Sequence, residues 1–236
     1  MIRALIVDDE QMAREEMQAL LEATGEFDLL MPCANGFDAI KAINEQRPDV
    51  VFLDIEMPVI NGFQVLSMVD EERMPHVVFV TAYDEFALKA FEEKTLDYLL
   101  KPVEPERLTL TLSKLKSMLH SGQTPHYDTP DLKRIPCSTG RRVKLVDVDK
   151  VECVFTDLSG VHLRTADSTL CTDLTLKVLE QRTPLVRCHK QYLVNLSSVD
   201  EVQLHDGGTA TVLTRSGHDV PVSRRYLRQL KECLSF

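Results

Sequence analysis

The hydrophobic residues of the chain follow two different rhythms on either side of position 120. In the first half, short apolar runs of strand length alternate with stretches whose apolar positions recur every three or four residues. The runs at 2–7, 28–34, 50–53, 77–81 and 98–100 predict strands, and the stretches at 11–23, 36–44, 62–69, 85–93 and 104–119 predict helices. Strands alternating with helical stretches specify βαβ units. A run such as 2–7 has the hydrophobicity of a strand covered on both faces. The expectation for residues 1–120 is an α/β domain built on a doubly wound five-stranded parallel sheet.

Past position 120 the rhythm stops. HSGQTPHYDTPD, at 120–131, is polar, contains one Gly and two Pro, and predicts a linker over 121–132. Beyond it, short runs at 142–145, 151–156, 160–165, 185–188, 192–195, 199–204, 209–213 and 219–222 predict strands. Turn signals such as Ser159-Gly160, Asp206-Gly207-Gly208 and Ser216-Gly217 separate several of them. Only 174–181 and 224–234 have helical spacing, so residues 133–236 predict a second, mostly β domain.

Composition sharpens this picture in three ways. The 236 residues are 44% hydrophobic and 27% charged, which fits two folded domains and excludes a disordered chain. No apolar run approaches the length of a membrane span, and three acids follow the first strand at 8–10, before a signal-peptide core could form. A cytoplasmic protein is expected, with six scattered cysteines and no CxxC pair to bind zinc. The net charge of −10 is unevenly spread: residues 1–122 hold 11 basic against 23 acidic side chains, residues 133–236 hold 16 against 12. That asymmetry hints at a nucleic-acid module joined to an acidic one, and by itself is weak.

The acidic half carries chemistry at one edge. Asp8 and Asp9 follow the first predicted strand, Asp54 the third and Lys101 the fifth, while Thr81 ends the fourth. A parallel sheet brings its strand ends together, and ligands bind there near the point where strand order reverses. Crowded carboxylates call for neutralisation, and a hard divalent cation such as Mg2+ supplies it. One Asp alone after a strand is more often a cap. Five polar residues on four strand ends suit phosphoryl transfer to Asp54, with Lys101 offsetting charge on the transferred group.

With VDDE at 7–10, FLDIEMP at 52–58, Gly62, VTAY at 80–83 and DYLLKP at 97–102, residues 1–120 resemble the flavodoxin-like receiver domain of two-component response regulators. The resemblance implies Asp54 as phospho-acceptor and Mg2+ on Asp8, Asp9, Asp54 and the backbone carbonyl of Glu56. It further implies a Thr81–Tyr98 switch pair, a Lys101 contact to the phosphoryl group and a cis Lys101-Pro102 bond. A dehalogenase-type phosphatase also uses an aspartyl nucleophile, but it needs a second Asp where this chain has Glu56.

LVRCHKQYLVNL at 185–196 and PVSRRYL at 221–227 make residues 133–236 resemble the LytTR DNA-binding domain. The resemblance implies base contacts from Lys190 and Arg224, and a third contact in the loop 157–160, where Ser159 stands in place of a basic or imidazole side chain. Arg225, Lys144, Arg141 and Arg142 are candidate phosphate contacts, and a solvated face explains such residues equally simply. His189 reads as a hydrogen-bonded structural residue or as a base reader, and Cys188 as packing. The whole chain then reads as a transcription regulator rather than an enzyme. Its expected partners are a sensor histidine kinase, double-stranded DNA with repeated half-sites, and a second copy of itself when phosphorylated. The alternative is a phospho-regulated module that binds protein or RNA.

Overall fold

The computed structural model describes residues 1–83, 95–122, 125–127, 129–140 and 142–235; the helix expected over 85–93 and the candidate Arg141 lie outside the described residues. The chain divides into two compact units, Met1–Pro130 and Asp131–Phe236.

In the first unit, β1 (Ile2–Val7), β2 (Phe27–Leu29), β3 (Val50–Leu53), β4 (His76–Thr81) and β5 (Asp97–Leu100) form one parallel sheet in the order β2-β1-β3-β4-β5. The doubly wound α/β fold expected from the sequence is the one observed. Its core on one side gathers Ala4, Ile6, Phe52, Val78 and Val80 with Met17 and Leu21 of α1 (Gln11–Thr24) and Leu108, Leu112 and Leu115 of α4 (Pro105–Ser121). Leu5, Val7, Leu53 and Phe79, the alternate positions, are equally buried, which is why these strands read as continuous apolar runs. Helix α2 (Gly36–Gln46) starts on Asn35, whose side chain accepts from the Asp38 N–H. Helix α3 (Gly62–Met68) starts on a reciprocal Asn61–Gln64 capping box. β2 is shorter than 28–34 because Pro32, lacking an N–H, interrupts the ladder, and Cys33 rejoins it through a single bridge to Val7.

Part of the stretch expected as a linker packs against this unit. Tyr127 is 3% exposed; its hydroxyl donates to the Pro75 carbonyl at 3.1 Å and accepts from the Val77 N–H at 2.9 Å. Two turns of polar sequence around one tyrosine show no periodicity, so nothing in the pattern distinguishes this anchor from a solvated residue.

The second unit is mostly β, as expected. Seven antiparallel strands lie in the order β11-β12-β8-β9-β10-β6-β7: β6 (Arg134–Thr139), β7 (Arg142–Asp147), β8 (Cys153–Asp157), β9 (Gly160–Arg164), β10 (Thr169–Thr172), β11 (Val186–His189) and β12 (Tyr192–Val194). A second sheet, β13 (Val199–His205), β14 (Thr209–Thr214) and β15 (Asp219–Val222), packs with α6 (Arg224–Leu234) around Cys153, Cys188, Val194, Val212, Val220 and Leu230. A short helix, α5 (Leu176–Arg182), is capped by Thr175. β6 and β10 are not among the strands expected from the pattern. Pro136 disqualifies β6 as an interior strand by the usual rule, yet β10 registers with β6 only at Cys171–Ser138, and the Thr172 hydroxyl bonds the Pro136 carbonyl at 2.6 Å. Among the described residues, no helix is long and apolar enough to cross a membrane.

Candidate functional site

The register of the first sheet aligns the strand ends: Val7 pairs with Leu53, Leu53 with Phe79, and Thr81 with Leu100. The residues that follow, Asp8, Asp9, Asp54 and Lys101, therefore meet at one edge, and the order of strands reverses between β1 and β3 at that place. One oxygen from each of Asp8, Asp9 and Asp54 lies within 4.8 Å of the others. Lys101, joined to Pro102 by a cis peptide bond, bridges two of the acids, its Nζ standing 2.6 Å from Asp8 Oδ2 and 3.0 Å from Asp54 Oδ2. Backbone N–H groups hold the other oxygens, Glu10 on Asp8 Oδ1 at 3.0 Å and Ile55 on Asp54 Oδ1 at 2.7 Å.

Gly62 sets how closely the loop after Asp54 folds back. A Cβ there would fall 2.5 Å from the Asp54 carbonyl oxygen and 3.0 Å from the Ile55 Cα. Glu56 is exposed on this loop, two residues past Asp54.

Among the described residues, three carboxylates meet one ammonium here, so charge at this edge is unbalanced. Burial raises the Asp8 carboxyl above its ordinary range, and the Lys101 hydrogen bond and the Glu10 N–H only partly oppose it. Lys101 is shifted upward: its burial opposes this, but the bonds to Asp8 and Asp54 outweigh it. An all-oxygen, anionic donor set fits a hard divalent cation such as Mg2+, which takes carboxylates while keeping positions for phosphoryl oxygens. Thr81 is fully buried, and its hydroxyl has no partner among the described residues. A hydroxyl left this way costs about 1–3 kcal/mol, which a phosphoryl oxygen arriving at the strand end would recover. Tyr98 is half-buried, and its hydroxyl donates to the Tyr83 carbonyl.

In the second unit, two hairpin turns and a helix start meet. The β8–β9 turn lies beside the β11–β12 turn: the Thr156 N–H donates to the Gln191 carbonyl at 3.0 Å, and Gln191 Nε2 donates to the Thr156 carbonyl at 3.3 Å. Helix α6 begins next to them, where the Ser223 N–H donates to the Cys188 carbonyl at 3.0 Å. This arrangement brings Lys190, Ser159, Arg224 and Arg225 to one end of the unit, all four exposed. Arg224 lies over the Gly207-Gly208 turn, whose glycines adopt φ 89° and 80°. The Arg225 guanidinium sits 5.5 Å from the Tyr226 ring centre.

Ser159 is engaged within its own turn, donating to Asp157 Oδ1 at 2.6 Å and lying 2.8 Å from His162 Nε2. His189 is half-buried; its Nδ1 accepts from the Gln191 N–H at 3.2 Å, and burial, helped by the Lys190 charge, lowers its pKa. Cys188 is buried, which pushes its thiol up to about 12. Arg142 and Lys144 are exposed on β7, the edge strand five strand spacings from β12. At about 4.8 Å per spacing this is roughly 24 Å across the sheet, so the structure does not group them with Lys190.

Arg187, which the sequence reading did not single out, organises this end, and Glu152 ties the two sheets together at the opposite end of β8. Arg187 donates to Glu180 through Nε at 2.9 Å and to the Lys190 carbonyl through Nη1 at 3.1 Å, which fixes the turn that presents Lys190. Glu152, 7% exposed, accepts from Thr214 at 2.6 Å and Ser216 at 2.8 Å and so ties β14 to the large sheet. A basic residue alternating along a β-strand carries no signal for such a role. Asn195 does what its position after a strand suggests, capping the following turn by accepting from the Ser197 N–H at 3.1 Å.

Residues 4–113 match the response regulator receiver domain family, and residues 141–235 match the LytTr DNA-binding domain family. A response regulatory protein of Vibrio vulnificus is 50% identical over 238 residues, covering 99% of this chain and 98% of that protein. One from Vibrio cholerae is 49% identical over 236 residues and covers both chains completely. The transcriptional regulatory protein BtsR of Salmonella typhi is 45% identical over 243 residues, covering 99% of each.

Proposed function

Since this chain belongs to the response regulators that carry a LytTR DNA-binding domain, we propose that Asp54 accepts a phosphoryl group from a sensor histidine kinase and that the modification controls sequence-specific DNA binding. The observation that carries the first half is the buried Thr81 hydroxyl, without a partner among the described residues, beside an edge where Lys101 already bridges Asp8 and Asp54. Asp8, Asp9 and Asp54, with the Glu56 backbone carbonyl, would hold Mg2+. When bound, that ion draws off charge from the phosphoryl oxygens.

An oxygen of Asp54 forms the new P–O bond as the donor's P–N bond breaks. Lys101 then exchanges a carboxylate contact for a phosphoryl one, and Thr81 donates to a second phosphoryl oxygen. Movement of Thr81 opens space for the Tyr98 ring to leave the Tyr83 carbonyl and turn inward, which changes the face built on β5 and its neighbours.

On the output unit, Lys190 and Arg224 read base edges and Arg225 holds a phosphate; His189 and Ser159 orient the two turns rather than touch bases. Two copies brought together by phosphorylation would grip repeated half-sites, and a cytoplasmic location follows from DNA as the ligand.

Asp54→Ala tests the acceptor. Incubation with an acyl phosphate donor and Mg2+ should load wild type with one phosphoryl group that is labile to acid, base and hydroxylamine, and leave the variant unlabelled. Labelling of the variant at the wild-type level would refute the assignment.

A further inference from the structure

Beginning at the β8–β9 turn and running away from Lys190 and Arg224, the β8–β9–β10 sheet sets a carboxylate, an imidazole and a thiol in line. Cys171 on β10 is the direct cross-strand partner of His162 on β9, and its Sγ lies 3.2 Å from His162 Nδ1. On the far side of the ring, His162 Nε2 is 3.0 Å from Asp157 Oδ1, which also accepts from the Ser159 N–H at 2.8 Å and hydroxyl at 2.6 Å. The imidazole is nearly buried and stacked on Phe155 at 4.9 Å and 21°, and the Arg164 guanidinium covers that phenyl ring at 4.5 Å. Strand register and ring stacking therefore fix the line, whereas a surface contact would let it come and go.

A carboxylate accepts hydrogen bonds and cannot donate them, so the Nε2 facing Asp157 carries the proton. Nδ1 is left as an acceptor aimed at the thiol. A nucleophile, a base in reach of its proton, and an acid that orients the base make up an activated-nucleophile constellation. Cys171 is exposed at its end of the line. The buried thiols of Cys33, Cys137, Cys153 and Cys188 are all pushed up by desolvation, to about 11 or 12, and none is bonded to an imidazole among the described residues.

We propose that Cys171, His162 and Asp157 form a relay that makes Cys171 a modification site for peroxides, whatever the turn 157–160 contacts. The thiol proton passes to His162 Nδ1, and the resulting imidazolium is held by Asp157. The thiolate sulfur attacks one peroxide oxygen: an S–O bond forms and the O–O bond breaks. The departing hydroxide takes the proton from Nδ1 and leaves as water. Sulfur is oxidised to a sulfenic acid and the peroxide is reduced. Ser138, the partner of Cys171 on β6, shares its face of the sheet, so the neighbouring Cys137 points to the buried side and offers no resolving thiol there.

The exposed Cys233, on α6, serves as an internal reference. Full-length protein is treated with iodoacetamide, and the alkylation rates of the two peptides are followed by mass spectrometry. A parallel sample is treated with hydrogen peroxide and trapped with dimedone. Cys171 should react at least about ten-fold faster than Cys233, a modest figure beside the ~10²–10⁴-fold typical of a positioned general base. In His162→Gln the Cys171 rate should fall to that of Cys233. Asp157→Asn, an exposed change that leaves the packing intact, should lower it as well, with Cys233 unchanged in both. Dimedone should mark Cys171 before Cys233. Equal rates at the two thiols in wild type, or a Cys171 rate that survives both substitutions, would overturn the proposal.

Discussion

The acidic edge of the first unit and the basic end of the second are assembled by different means. At the acidic edge the backbone decides: parallel register sets Asp8, Asp54, Thr81 and Lys101 on adjacent strand ends, and Gly62 allows the loop to close. At the basic end side chains decide: Arg187 holds the carbonyl of Lys190, Gln191 ties one turn to the next, and Arg224 rests on a glycine turn. A site fixed by register tolerates changes around it and fails when the backbone is crowded. One fixed by side-chain contacts loses function piecemeal while the fold survives.

The largest effect should come from crowding the backbone. Gly62→Ala forces a Cβ against the Asp54 carbonyl and the Ile55 Cα, and should cost about 3 kcal/mol by thermal or urea unfolding. Phosphoryl loading should fall with it. A variant of wild-type stability would show that the loop is free to move and that strand register does not fix the site.

Asp97 tests how the same unit holds β5 to α4. Its carboxylate accepts from Arg107 at 2.6 and 2.8 Å and from Thr111 at 2.7 Å, with Lys114 at 3.2 Å. Burial pushes this carboxyl up, but the bonds from Arg107, Thr111, the Tyr98 N–H and Lys114 together bring it well below the usual range. A depressed carboxyl contributes stability above its unfolded value, near pH 4, and loses that contribution as pH falls through the folded value. Asp97→Asn should therefore cost about 2 kcal/mol at neutral pH, and the gap from wild type should shrink in acid. A gap independent of pH down to the acid transition would contradict the assignment.

On the output unit, Arg224→Ala should weaken specific DNA binding by about 2 kcal/mol and relax the preference at one base position. Arg187→Ala should cost less, about 1 kcal/mol of affinity, through loss of the contact that fixes the Lys190 turn. Both variants should unfold at the wild-type temperature within a few degrees. Measured by fluorescence anisotropy, equal losses from the two would mean that Arg187 itself touches DNA.

Thr81→Val carries the smallest change in stability and the opposite sign. Exchanging this hydroxyl, which has no partner among the described residues, for a methyl should stabilise the unphosphorylated protein by about 1 kcal/mol and remove the response of DNA binding to phosphorylation. Destabilisation by that amount would mean that the hydroxyl is satisfied in solution.

The same contrast explains what could be read from the sequence. Both fold classes and the acidic residues were legible because a parallel sheet converts positions at strand ends into neighbours without help from any particular side chain. Arg187 and Glu152 were not, since their partners lie on other elements and no periodicity marks them. β6 was hidden by Pro136, and Tyr127 by the polar residues around it. The Cys171–His162 pair becomes visible only once the β9–β10 register is known.

Selection of random duplex DNA by the full-length protein, loaded with an acyl phosphate donor, tests the central claim most directly. Enrichment of a short motif that flattens in Lys190→Ala and Arg224→Ala is the predicted result. Retention of DNA without enrichment, falling only with salt, or a motif untouched by both substitutions, would contradict it.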